Sequence, residues 1–239
     1  MRQATPAPLV LLPGLLCDSR VFAGQLARFP DAIAIDGFGR RNSLESMARH
    51  VLKTVPGAMS LLGHSMGGRV ALEVFRLAPE RVERLALLST GIHLPQPGEA
   101  AKRQVLLDLA DAEGAAALVD RWLPPMVAPA RLGDDRLMAP LRTMCIEAGV
   151  GAFAAQIAAL LGRPALESLM PLINCPTLVA VGSEDAWSPP AQHRAIAASI
   201  ADAHLIIVEG SGHMLPAEAP DALNAAIADW LSLPILRRP

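Results

Sequence analysis

Short apolar runs alternate with longer segments of helical periodicity over most of this chain. The runs start at Pro8 (PLVLLPG), Asp31 (DAIAIDG), Met59 and Arg84 (RLALLS), and the periodicity between them predicts helices over Ser19–Phe29, Leu44–Thr54 and Met66–Leu77. Repetition of strand, helix and strand is the rhythm of a parallel sheet, because parallel neighbours need a crossover long enough to hold a helix. From about Gly91 to Pro164 the rhythm stops. Helical patterns over Glu99–Asp111, Ala115–Trp122, Asp134–Ala148 and Gly151–Leu161 follow one another there, punctuated by Pro124-Pro125, Pro129, Gly133 and Gly149. The rhythm then returns with a strand from Pro176 (PTLVAVG), a helix over Pro190–Ile200, a strand from His204 (HLIIVEG) and a helix over Pro216–Leu231. The expected fold is α/β, a mostly parallel sheet of about six strands with helices on both faces. Residues 1–90 and 166–239 form the two halves of its core, and 91–165 are inserted as a helical lid.

A chain of 239 residues, 52% of them hydrophobic and 18% charged, suits one compact core with an insertion. Its net charge of -2 supplies no field that would gather phosphates or an anionic membrane surface, which argues against nucleic acid and membrane as partners. Three scattered cysteines, Cys17, Cys145 and Cys175, fit neither a disulfide framework nor a zinc site and read as reduced thiols. The early apolar run is broken at Pro13-Gly14 without a cleavage signal, and no run approaches the roughly 18 apolar residues of a membrane span. A cytoplasmic protein acting on a small molecule is expected, with its oligomeric state open. GFGRRN has no third glycine at Asn42, so a dinucleotide site is not supported; no metal and no cofactor are expected.

The strand from Met59 runs into Gly63-His64-Ser65-Met66-Gly67, and a helix follows at once. A serine between glycines at this spacing, on a strand-to-helix turn, matches the G-x-S-x-G nucleophile elbow. The turn is strained at the serine, so residues two positions away must be small. A serine hydroxyl is a poor nucleophile until a histidine takes its proton, and that imidazole needs a carboxylate to fix its tautomer. Both partners belong at the carboxyl ends of other strands. The strand ending in GSEDAWSPP offers Asp185, with Glu184 beside it, and the strand ending in EGSGHMLPAEAP offers His213. Taken singly, Asp185 also suits a helix cap and His213 an ordinary loop; together they make the order Ser65, Asp185, His213.

The chain resembles the α/β-hydrolase family along nearly its whole length. The residues that carry the likeness are LLPGLLCDS, IDGFGRRNS, LLGHSMGGRVALE, PTLVAVGSEDAWSPP and GSGHMLPAEAPDAL. Two departures are Pro13-Gly14 where many relatives have His-Gly, and a DGFG turn that lacks the usual proline. The resemblance implies an oxyanion hole built from the backbone N–H groups of Leu15 and Met66, with Leu16 in place of Leu15 if the loop is shifted. It also implies that the first strand here is the family's third, and that the insertion is the lid.

Expected pocket residues are Leu16, His93, Trp122, Met126 and Met138. His64 reads as packing, and His50, His193 and His204 as surface residues. Arg69, Glu73 and Arg76 recur at i, i+4 and i+7, a spacing that lets them pair on one polar helix face. The expected function is a carboxylesterase-like serine hydrolase cleaving a small ester, lactone or thioester with an apolar acyl or alcohol part. The alternatives are a C–C hydrolase or lyase of the same fold acting on a carboxylate-bearing substrate, which Arg69 or Arg142 would bind, and a non-catalytic ligand receptor.

Overall fold

The computed structural model describes residues 7–235. Six strands form one sheet: β1 (Leu9–Leu12), β2 (Ile33–Ala34), β3 (Met59–His64), β4 (Val82–Leu88), β5 (Thr177–Gly182) and β6 (His204–Val208). Their order is β2-β1-β3-β4-β5-β6, and every neighbouring pair is parallel, so the sheet is parallel throughout rather than mostly. The central strands are mostly apolar because both faces are covered, and every residue of β1, β3 and β5 is buried.

The crossovers are α1 (Ala23–Arg28), α2 (Leu44–Thr54), α3 (Met66–Leu77) and α6 (Pro190–Ala198), and the described chain closes with α7 (Leu215–Glu218) and α8 (Pro220–Ser232). α2 starts where Ser43 caps it, its hydroxyl accepting from Ser46 N. The single helix expected over Pro216–Leu231 is divided at Ala219, which precedes Pro220 and takes an extended φ of −136°. The helix expected over Ser19–Phe29 opens as a 3₁₀ turn, Ser19–Phe22, before α1.

Between β4 and β5 lie two long helices, α4 (Glu99–Trp122) and α5 (Asp135–Leu161), packed on each other. The four helical patterns of the sequence are joined here in pairs. The joints are Gly114 (φ 84°, ψ −177°) and Gly149 (φ 81°, ψ 163°), whose backbones leave the helical region and bend each helix. α5 has the length and composition of a membrane span, with a mean hydropathy of 1.7 in its most apolar window. It is bent at Gly149, and Leu141, Met144, Phe153 and Ile157 are buried in the same cluster that fills the space around the sheet.

Candidate active site

Ser65 sits between β3 and α3 with φ 55° and ψ −116°, a conformation that L-residues rarely adopt. The strain persists because the surroundings determine it. Ser65 N donates to Leu88 O of β4 (2.8 Å), and Thr90 Oγ1 donates to Ser65 O (2.7 Å). A methyl group at Gly63 would lie 2.3 Å from Gly67 O, and one at Gly67 2.1 Å from Leu12 O. The glycines are therefore demanded by backbone contacts between β3, α3 and β1.

Ser65, His213 and Asp185 come together from three separate strand ends. His213 Nε2 lies 2.8 Å from Ser65 Oγ, and His213 Nδ1 lies 3.0 and 2.9 Å from the two carboxylate oxygens of Asp185. Asp185 is 2% exposed, and its Oδ1 also accepts from Trp187 N (3.0 Å) and Ser188 N (2.8 Å). Burial opposes its charge, but the facing His213 and the Ser188 N–H outweigh that and hold its pKa below the ordinary carboxylate value. Glu184, its neighbour, points to solvent.

His213 is fixed by its backbone as well. Its N–H donates to Met126 O in the lid (2.8 Å), and its carbonyl accepts from His64 Nε2 (2.8 Å). His64 is a buried neutral imidazole whose pKa is pushed down to about 3, first by burial and then by the adjacent His213.

The N–H of Met66 opens α3 and that of Leu15 follows Gly14; neither donates to an acceptor among the described residues. The Leu16 N–H, the alternative donor, is taken by Gln156 Oε1 of α5 (2.9 Å), so the loop is not shifted toward it. Gln156 Nε2 donates in turn to Gly39 O (3.0 Å), which pins the lid to two loops of the core.

A cavity of about 350 Å³ opens onto Ser65 and His213. Leu15, Met66, His93, Trp122 and Met126 line it, joined by Leu106, Ile157, Leu160 and the half-exposed Trp187. Two expected pocket residues lie elsewhere. Leu16 has a positive φ of 59° that turns its side chain into the core, where it is 1% exposed. Met138 belongs to a separate surface depression with Asp120, Pro124 and Arg142, because the face of α5 that carries it turns away from Ser65.

Two further expectations are corrected. His193 is fully buried, not at the surface, and its Nε2 accepts from Thr90 N (3.0 Å) beside the elbow. Arg69 does not pair along its helix. Glu73 is engaged by Arg76 (2.6 Å), while Arg69 is 6% exposed and turned into the cavity wall. Arg69 Nη2 donates to His93 O (3.2 Å), a carbonyl that Arg163 Nε also reaches (3.0 Å), and Arg69 Nη1 is buried with no acceptor. Burial, followed by the nearby Arg163 cation, lowers its pKa to about 9, which still leaves it charged at neutral pH. Two further cations of the wall, the buried Arg163 and the partly buried Arg103, share the single carboxylate of Glu99, at 2.6 and 2.7 Å, so each has an acidic partner while the trio keeps a net positive charge. Arg142 pairs with Asp120 (2.6 Å) outside the cavity. Among the described residues no three His, Cys, Asp or Glu side chains are grouped to hold a metal ion.

A hydroxyl, an imidazole and a buried carboxylate in hydrogen-bonded series, beside two free N–H groups, form an arrangement suited to activating the hydroxyl and receiving a developing oxyanion. Known proteins place it in context. The acetyltransferase component of an acetoin cleaving system from Pseudomonas putida is 30% identical over 226 residues, covering 92% of this chain, which spans only 58% of that protein's length. A (E)-2-((N-methylformamido)methylene)succinate hydrolase from Acinetobacter baylyi is 25% identical over 251 residues, covering 96% of this chain and 92% of its own. A thermophilic esterase from Thermogutta terrifontis, solved with malate bound, superposes with a TM-score of 0.85 at 27% identity, over 96% of this chain and 90% of its own. The family model described as alpha/beta hydrolase matches residues 9–226, nearly the whole described fold from β1 into α8, and to that family the chain belongs.

Proposed function

We propose that this protein is a serine hydrolase that cleaves a small ester, lactone or thioester through an acyl-enzyme. One observation carries this: the continuous hydrogen-bonded series from Ser65 Oγ through His213 to the buried Asp185. Ser65 Oγ attacks the carbonyl carbon as its proton passes to His213 Nε2, and Asp185 holds the other ring nitrogen in its N–H form. The negative oxygen of the tetrahedral intermediate is received by the N–H groups of Leu15 and Met66. Collapse expels the alcohol or thiol with the proton from His213. Water, deprotonated by the same imidazole, then releases the acid and restores Ser65. The likeness to an esterase at 27% identity supports the same chemistry.

Labelling with a fluorophosphonate tests the assignment without knowledge of the substrate. Ser65 is the expected site of the adduct, and labelling is lost in Ser65→Ala and greatly slowed in His213→Ala. A folded wild-type protein that stays unlabelled, or is labelled elsewhere, overturns the proposal, and with no ester turnover would favour the receptor.

The substrate's apolar part has Trp122, Met126, Leu106 and Ile157 to pack on. Each buried methylene contributes about 0.8 kcal/mol, so kcat/KM for neutral esters is expected to climb about fourfold per carbon until the cavity is full. The second reading, a carboxylate-bearing substrate, is favoured by Arg69, a cavity guanidinium whose buried Nη1 has no acceptor among the described residues. A hydrogen bond to a charged group contributes about 1.5–3 kcal/mol, roughly tenfold to hundredfold in kcat/KM. Methyl esters of equal length, with and without a terminal carboxylate, separate the two. A carboxylate preference lost in Arg69→Met supports acid binding; a preference for neutral esters that this substitution leaves unmoved supports the apolar pocket.

A further inference from the structure

Glu218 is a carboxylate that the proposed chemistry never touches, and it is 4% exposed. It forms no ion pair among the described residues. Its partners are three main-chain N–H groups instead. Oε2 accepts from Gly212 N (2.9 Å) and Ala128 N (2.8 Å), and Oε1 accepts from Met214 N (2.9 Å). Gly212 and Met214 flank His213, and Ala128 lies in the lid, two residues beyond the Met126 carbonyl that takes the His213 N–H.

Helix capping explains only part of this. A glutamate in the first turn of a helix often reaches back to the N-cap N–H, and Met214 is the N-cap of α7. Such a cap has no use for Gly212 or Ala128. The loop has no room to settle otherwise: a methyl group on Gly212 would lie 2.6 Å from Ala128 N, and one on Gly182 would lie 2.1 Å from Ser211 O. The segment carrying His213 is thus wedged between the end of β5 and the lid, with one carboxylate gathering the N–H groups on either side of the histidine. Burial pushes the Glu218 pKa up, against these N–H groups and Arg131, which favour its charge. The Arg131 guanidinium itself donates to Glu218 O (2.7 Å) and to Asp134.

We propose that Glu218 is a positioning residue: its carboxylate sets the reach of His213 to Ser65 by clamping the backbone on both sides of the imidazole and tying it to the lid at Ala128. The inference rests on the hydrolase reading given above for Ser65 and His213. Three donors aimed at two oxygens require an acceptor on both sides, so glutamine must turn an NH₂ group against at least one N–H. Aspartate keeps the acceptors but falls one methylene short.

The test is the rate at which a fluorophosphonate labels Ser65 in the full chain, resolved into maximal rate kinact and inhibitor constant KI. Misplacing a catalytic group by an ångström slows chemistry on the order of 10²-fold, so Glu218→Gln is expected to lower kinact by about that factor while KI, which reports the cavity, is unchanged. Glu218→Asp is expected to recover part of the loss. A general loosening of the fold would shift both constants and would not be repaired by aspartate. Amide hydrogen exchange in the wild type provides an arm that needs no variant: the N–H groups of Gly212, Met214 and Ala128 are expected to be strongly protected. Labelling of a folded Glu218→Gln protein at the wild-type rate, or exchange of those three amides as fast as exposed loops, overturns the clamp. If the glutamine variant fails to fold, the aspartate variant and the exchange data decide. A wild type never labelled at Ser65 instead overturns the hydrolase reading, and the exchange arm still decides whether the carboxylate holds the loop.

Discussion

Asp185 and His64 both stand against His213, one bonded to its ring and one to its carbonyl, and their substitutions separate chemistry from stability. Asp185→Asn is expected to keep the fold and to lower kcat on the order of 10⁴, because an amide favours the wrong imidazole tautomer. Glu184→Gln, altered at an exposed position, is expected to change little, and ester hydrolysis by the purified variants checks both. His64 makes stability depend on pH. Its folded pKa of about 3 lies below the value near 6.5 of an unfolded histidine, so in that window the unfolded chain binds a proton that the native state refuses. Stability is fully present above about pH 6.5 and is lost as pH falls toward 3, by up to about 1.4 kcal/mol per unit from this residue. The buried His193, also shifted down, adds to the same slope. Urea unfolding at pH 7 and pH 5 is expected to show a smaller loss for His64→Gln than for the wild type. Ser65, Asp185 and His213 could be picked out from the sequence because each follows a strand whose apolar run announces its end. His193 and Glu218 could not, and for Arg69 the sequence offers both pairing along its helix and a carboxylate-binding role without deciding between them. A polar residue three or four positions from its neighbours fits an exposed helix face equally well, and only the covering of α3 by other elements turns Arg69 inward. Glu218 gives no signal beyond its place five residues after His213, since two of its three partners come from before the histidine and from the lid.

Gly114 and Gly149 carry the shape of the lid. Each has a ψ near 180° at positive φ, a region in which other residues are strained by about 1–3 kcal/mol, and neither has any atom close enough to obstruct a methyl group. The penalty for alanine is therefore purely one of backbone conformation. Gly149→Ala is expected to destabilise the protein by about that amount, or to straighten α5 and displace its second half, which carries Gln156 and Ile157. Denaturant unfolding measures the first outcome and altered ester chain-length preference the second. Gly67→Ala is expected to be far worse, since its methyl group meets the β1 backbone. At this scale most of the fold was legible. The strands, α2 and α3 fall where periodicity puts them, and of the two bends in the lid the sequence names Gly149 while Gly114 lies in the gap it leaves between Asp111 and Ala115. Their consequence was not, because a glycine that ends a helix and a glycine that bends one look alike until the next segment is packed.

The sheet is continuous across the insertion, since β4 and β5 are hydrogen-bonded neighbours although the whole lid lies between them in the chain. Which residues of the lid face Ser65 depends on how α4 and α5 roll over that sheet, a rotation no sequence period records, and for that reason Trp122 and Met126 reach the cavity while Met138 does not. The lid is joined to the core at several polar points, and Gln156 is one of them. Gln156→Leu leaves the buried Leu16 N–H without a partner, while the exposed Gly39 carbonyl turns to water, which is expected to destabilise by about 1–3 kcal/mol and to slow ester turnover more than binding; a Tm measurement beside kcat and KM checks this. Leu16 follows directly on Leu15, whose N–H is proposed to receive the oxyanion. The loop beside the reacting carbonyl is therefore held from the lid side through one glutamine side chain. On the proposed chemistry, a defect in how α5 packs is felt at the reacting carbonyl although Ser65, Asp185 and His213 are themselves untouched.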